Sequence, residues 1–337
     1  MNQYRNLDIL RAIAVLIVLG AHLSPYSILQ QAIGHFAVLI FFVHTALVLL
    51  FSLERLSLTN GWVPRFYVQR AFRIYPLSVA CVLLSLAFRI AWPALIFEPR
   101  STLSVGANLL LVQNLLHEQS SISAPLWSLP FEIQMYAVLP VVFWTIRKYH
   151  KQGALLVLAT GFVVAIGEKL LHDDVWLAQF VPCFLAGALA YAWQGANRRI
   201  PWWAWPCFIV VWGLLYGLYG FAIRAEMGGW LASLVLGMLI PLVQDAPANW
   251  LSKAAALVAR YSYGIYLSHV PLIWLCFRKL TGVSTPLRWT LFFLLQCLVP
   301  VSVYHAFENP MIQVGKAVAA RIGRKQHSPA MAARGSR

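Results

Sequence analysis

Arg11 and His22 interrupt an otherwise apolar N-terminal stretch, and their spacing of eleven residues is the first hint of chemistry. On a helix that spacing returns the second residue to within about 20° of the first, roughly 16 Å further along, so one groove can hold both. A neutral imidazole, with a reference pKa of about 6.5, is suited to take a proton from a hydroxyl. A guanidinium holds phosphate oxygens through paired N–H donors. Exposing either group to lipid is costly, which makes the pair a functional candidate. The plainer reading is that Arg11 snorkels to the headgroups and His22 is a satisfied polar residue at a helix end.

A second cluster, Arg65-Phe66-Tyr67-Val68-Gln69-Arg70-Ala71-Phe72-Arg73-Ile74-Tyr75-Pro76, sets Arg70 and Arg73 three residues apart on one side of a helix terminus. That pair suits the phosphates of a nucleotide-like ligand; ordinary anchoring of cations at a membrane boundary is the alternative. Further on, Trp127-Ser128-Leu129-Pro130-Phe131-Glu132 opens a helix with proline in its first turn, and Tyr136 follows Glu132 four residues later on the same face. Glu132 is expected at the outer end of its span, level with His22, where it either orients or charge-stabilises the histidine or pairs with a buried cation. His269 is expected to be a structural group at mid-membrane, and Glu308 a partner for Arg11 or for the Arg70/Arg73 pair. His35 and His44 are weaker candidates, with His44 deep enough to need a hydrogen-bonding neighbour.

The elements that must position these groups are helices in lipid. Of 337 residues, 60% are hydrophobic and 11% charged, against about 25% charged in soluble domains. Apolar stretches near the roughly 20 residues that cross a bilayer recur at 8–25, 34–53, 72–92, 128–146, 153–170, 175–193, 203–221, 228–244, 261–277 and 287–306. The reading is an all-α, polytopic transmembrane helical bundle of about ten spans. With the N-terminus inside, most of the 26 Lys and Arg fall in cytoplasmic segments, so both termini are expected to be cytoplasmic. The net charge of +15 follows that topology and gives no reason to expect a nucleic-acid partner. Residues 1–310 form the transmembrane domain on this reading, and 311–337 a basic cytoplasmic tail that frays from a helix into disorder. The connection from about 93 to 125, with Asn114, His117, Glu118, Ser120, Ser121 and Ser123, is expected on the outside as a lid, an acceptor surface or a passive link. Trp62, Tyr67, Tyr75, Trp92, Trp127, Trp202 and Trp203 read as interfacial rings. Cys81, Cys183, Cys207, Cys276 and Cys297 read as small buried apolar groups, without disulfide or metal spacing.

In order and spacing, Leu7-Asp8-Ile9-Leu10-Arg11 through His22, Leu39-Ile40-Phe41-Phe42-Val43, Arg70 to Pro76, Trp127 to Tyr136, Tyr261 to His269 and Glu308-Asn309-Pro310 together resemble the acyltransferase 3 family of membrane O-acyltransferases. The likeness covers nearly the whole chain up to Pro310. It departs at His44-Thr45-Ala46, where relatives often carry Ser-Gly-Phe, and at Glu132-Ile133, where two glutamates are common. The resemblance implies a bacterial inner-membrane enzyme with no permanently bound cofactor, using acetyl-CoA or another acyl-CoA as donor. It implies a carbohydrate or lipid-linked sugar acceptor, in a setting of membrane lipids. By position Arg11 and His22 match the family's arginine and histidine on the first helix, and Arg70 and Arg73 its paired arginines; the expected roles are donor binding for Arg11, Arg70 and Arg73 and catalysis for His22, with Glu132 the second catalytic candidate. General-base and acyl-histidine routes both fit that assignment. The other class to weigh is a transporter or flippase of a glycolipid or small polar solute, which inverted repeats with broken helices would favour; the sequence shows none.

Overall fold

The computed structural model describes residues 5–23, 27–91, 101–116, 122–171, 178–220 and 225–325. The helices are α1 (Arg5–Leu23), α2 (Ile28–Ser57), α3 (Trp62–Ala91), α4 (Thr102–Leu110), α5 (Leu129–Leu171), α6 (Val181–Ala192), α7 (Ala204–Leu215), α8 (Ala225–Leu239), α9 (Trp250–Trp274), α10 (Thr285–Val303) and α11 (Asn309–Lys325). Among the described residues there is no strand, only an isolated bridge between Ile200 and Val243. Every apolar stretch singled out above overlaps helix. Five helical runs, 5–23, 29–57, 62–88, 124–171 and 285–323, are long and apolar enough to cross a membrane by length and composition.

Local chemistry sets the ends. Ser27 caps α2 by accepting from the Gln30 amide while the Gln30 side chain accepts from the Ser27 amide, each at 3.2 Å. Asn249 and Ser252 make the same reciprocal pair at the start of α9. The long α5 is two helices broken at His150, which takes φ 51° and ψ −130° and brings Gly153 back against the Thr145 carbonyl.

The bundle is built around α6, in which every residue from Pro182 to Tyr191 is buried. It packs against α2, α5 and α8. A Cβ on Gly187 would strike the Val43 carbonyl of α2, and one on Gly237 of α8 would strike the Ala186 carbonyl, so backbones meet directly where these glycines lie. Outward positions are apolar too, including Val141, Leu156 and Val163 on α5 and Leu83, Leu84 and Phe88 on α3. A bundle whose rim is as oily as its interior is suited to lipid, since an apolar patch of that extent in water would drive association.

Two parts differ from the sequence reading. The basic tail begins as an ordered helix: α11 lies along α3, with Ala319 fully buried and Gly315 against the Phe72 ring. Its apolar stripe meets the N-terminal half of α3, where Phe72 lies. Residues 326–337 lie outside the described residues. The connection before α5 is not a simple outer loop. Its carbonyl at Leu110 accepts from Tyr75, near the middle of α3, at 3.1 Å, and Ser123 lies 3.5 Å from the Cys81 thiol. The chain can turn inward because its polar groups find partners there: the Ile122 amide donates to Asn108 at 2.9 Å, and Asn114 and Gln134 exchange amide hydrogen bonds. His117, Glu118, Ser120 and Ser121 lie outside the described residues.

All five cysteines are free; Cys183 and Cys276 are buried, whereas Cys207 and Cys297 are exposed, on the outer faces of α7 and α10. Gly187→Leu is expected to cost about 1–3 kcal/mol by overpacking, seen as a lower unfolding midpoint in detergent. Gly167→Leu, where nothing lies within 4 Å, is expected to leave the midpoint unchanged.

Candidate active site

Five helices, α1, α2, α3, α5 and α9, line a cavity of about 100 Å³. From α1 comes Arg11, from α2 His44, from α3 Arg70 and Arg73, and from α5 Glu132 and Tyr136. The Arg11 Nε donates to Ser262 Oγ of α9 at 2.6 Å, and its guanidinium lies 6.0 Å from the Phe41 ring centre. Arg73 forms an ion pair with Glu308, which is 2% exposed and sits on the π turn between α10 and α11. Tyr136 donates to Glu132 across one helical turn. The Arg70 Nε is buried and has no hydrogen-bond partner among the described residues. Three guanidiniums therefore face two carboxylates, leaving an excess cation and an unsatisfied donor at a cavity wall, which is what an anionic ligand requires.

A second cavity, of about 380 Å³, opens on the far side of Val38 and Tyr266, which line both. His22, His35, Trp127 and His269 lie on its wall. His22 is exposed on that wall, and its Nδ1 lies 2.8 Å from the Val18 carbonyl. A carbonyl only accepts, so Nδ1 carries a proton, and in the neutral ring Nε2 holds the lone pair that a base needs. The His269 ring meets His22 edge to face at 4.7 Å between centroids. Tyr266, at the boundary, shares a 3.0 Å hydrogen bond with Ser128.

Arg11, Arg70 and Arg73 are thus brought together, and His22 lines the neighbouring cavity on the same helix as Arg11. Glu132 is not level with His22: it lines the arginine cavity. The inward fold of the chain before α5 starts that helix deep in the bundle, which carries Glu132 past His22 to the guanidiniums. Glu308 meets Arg73, one of the partners expected for it. Trp127, read as an interfacial ring, lines the second cavity instead, and His269, read as structural, lies against His22. His44 faces the arginines, and its Nδ1 has no hydrogen-bond partner among the described residues. Sequence reasoning did not single out Ser262 or Tyr266. Their position one and five residues along the Tyr261-to-His269 stretch, on the helix facing α1, was the available signal.

This arrangement occurs in a chain of which residues 4–305 match the acyltransferase 3 family, described as an acyltransferase domain. The protein belongs to the acyltransferase 3 family. Among curated relatives of this acyltransferase 3 protein is the peptidoglycan O-acetyltransferase OatA of Listeria monocytogenes, 29% identical over 320 residues. The match takes in 80% of the present chain but 49% of OatA, so the chain spans about half the length of that relative. No solved structure matches it.

Breaking one side of the Arg73–Glu308 pair leaves the other charge without its partner inside the bundle. Glu308→Gln and Arg73→Gln are each expected to destabilise the fold, by up to about 3–5 kcal/mol for a fully buried pair, and the double variant by less than their sum. Chemical unfolding of the purified single and double variants measures that coupling; strict additivity would show that the pair does not act as one unit.

Proposed function

We propose that this protein is a membrane O-acyltransferase that moves an acyl group, acetyl in the simplest case, from an acyl-CoA to a hydroxyl of a surface polysaccharide, lipopolysaccharide or other glycosylated acceptor. The observation that carries this reading is the common wall of Val38 and Tyr266 between an arginine-lined cavity and a histidine-lined one. The likeness to a peptidoglycan O-acetyltransferase supports the acetyl group and the sugar acceptor.

In this reading Arg11, Arg70 and Arg73 hold the phosphates of the donor, and the thin pantetheine arm passes Tyr266 towards His22. Glu132 lines the arginine cavity and accepts from Tyr136; its role is to keep the guanidiniums spread and partly neutralised, so that they remain desolvated without collapsing onto one another. The thioester already carries a good leaving group. The protein must align an acceptor oxygen with the carbonyl carbon and remove its proton as it attacks. His22 Nε2 takes that proton, the carbon–oxygen bond forms, the carbon–sulfur bond breaks, and the departing thiolate receives the proton from the imidazolium. The donor is a substrate, and no permanently bound cofactor is invoked.

The setting is the bacterial inner membrane, with about ten spans and both termini in the cytoplasm. That orientation puts the arginine cavity nearer the side where acyl-CoA is made. Reporter fusions after Lys151 and after Arg321 are both expected to give cytoplasmic signals; a periplasmic signal from either overturns the map.

The central test uses purified protein with labelled acetyl-CoA and membrane sugar extracts. His22→Ala is expected to lower acyl transfer by about 10²–10⁴-fold while donor binding survives. Changing both Arg70 and Arg73 to Gln is expected to weaken donor binding in a protein that still inserts. Near-normal turnover in His22→Ala defeats the proposed chemistry, and unchanged donor affinity in the arginine double variant defeats the donor assignment.

A further inference from the structure

His269 is 1% exposed, and its Nδ1 lies 2.6 Å from the Tyr266 carbonyl. That nitrogen must carry the proton, which leaves a lone pair on Nε2. The Nε2 atom is buried and has no hydrogen-bond partner among the described residues, although it borders the second cavity. A buried acceptor left empty costs free energy, so the site is built for a donor that arrives from elsewhere. His22, edge to face with it, has the same tautomer for the same reason. With each ring in its neutral form, the two imidazoles stand side by side with a lone pair on each Nε2.

What satisfies both is a molecule with two neighbouring O–H groups. Among the described residues no third ligating side chain joins the pair to make a metal site. The rest of the wall narrows the class. The His35 ring runs nearly parallel to Trp127, 20° between planes and 6.2 Å between centroids, and is fixed from behind by a 3.0 Å contact between its Nδ1 and the Tyr216 hydroxyl. Flat aromatic faces at one end of a cavity and hydrogen-bond acceptors at the other match a ring that has C–H faces and a hydroxyl rim.

We propose that the second cavity is a pyranoside site in which two adjacent hydroxyls of one sugar ring donate to His22 Nε2 and His269 Nε2, with a face of the ring against Trp127 and His35. This deepens the acyltransferase reading and rests on it for the fate of the hydroxyl at His22. The hydroxyl at His269 keeps its proton and undergoes no reaction. Its bond fixes which neighbour reaches His22, so His269 sets the position that is acylated.

The test reads sugar binding by saturation-transfer NMR on the full chain in detergent without any acyl donor. The probes are the methyl β-pyranosides of glucose, galactose and N-acetylglucosamine, with the monodeoxy series of whichever binds best. Loss of one hydrogen bond is worth about 3–10-fold in affinity. Wild-type protein is expected to lose that factor for two adjacent deoxy positions and not for the others. His269→Leu is expected to bind the parent sugar as weakly as the sensitive deoxy analogue and to show no further loss with that analogue, whereas His269→Gln, which restores an acceptor, recovers part of the discrimination. If His269→Leu does not fold, the deoxy series on wild type and on His269→Gln decides. Absence of binding by all three pyranosides, equal binding of all deoxy analogues, or undiminished discrimination in His269→Leu each overturns the proposal. A protein that binds sugar in this pattern but transfers nothing from acetyl-CoA would overturn the donor reading and leave this site standing.

Discussion

Charge in an apolar bundle must be matched from within. Arg11, Arg70 and Arg73 are half-buried inside the bundle, and an ion taken from water into a low-dielectric interior costs several kcal/mol unless it is paired. The structure meets that demand by recruiting partners from distant parts of the chain: Ser262 on α9 for Arg11 and Glu308 beyond α10 for Arg73, with Glu132 on α5 lining the cavity between them. The first and last helices are drawn to the same point. The contacts that close the bundle around α1 and the end of α10 are therefore also contacts that build the cationic cavity.

The inward fold of the segment before α5 follows from the same constraint applied to backbone. Irregular chain is tolerated at membrane depth only where its N–H and C=O groups are satisfied by protein. Asn108 takes the Ile122 amide, Gln113 donates to the Leu126 carbonyl at 3.3 Å, and the reciprocal pair of Asn114 and Gln134 holds the turn to α5. These amides place Ser128 beside Tyr266 and Trp127 beside His35. The polar residues that look in sequence like a solvated loop are the ones that allow the loop to leave solvent.

Periodicity is a local property, and what was legible in the sequence was local. The apolar stretches, the shared face of Arg11 and His22, and the pairing of Arg70 with Arg73 depend on rise and twist within single helices, which the order of residues fixes. The doubling back at His150 also left a trace, because apolar stretches on either side are each long enough to span. The depth of Glu132 depends instead on how far the preceding chain folds inward, which no spacing within α5 encodes. His269 reads as one more polar residue on an apolar helix until α1 is laid beside it. The packing of α11 on α3 was hidden by composition: a basic, alanine-rich segment resembles a disordered tail unless the stripe that covers Ala319 has a partner.

The wall formed by Val38 and Tyr266 has a bearing on energy conservation. A cell that draws work from its proton gradient cannot tolerate a wetted channel across the bilayer, yet an enzyme acting between two compartments needs access from each. On the acyltransferase reading proposed above, two cavities that share a valine side chain and a tyrosine ring, itself hydrogen-bonded to Ser128, would reconcile these needs. On that reading, a slender donor arm filling the gap would displace water instead of admitting a file of it, and the membrane would stay electrically tight.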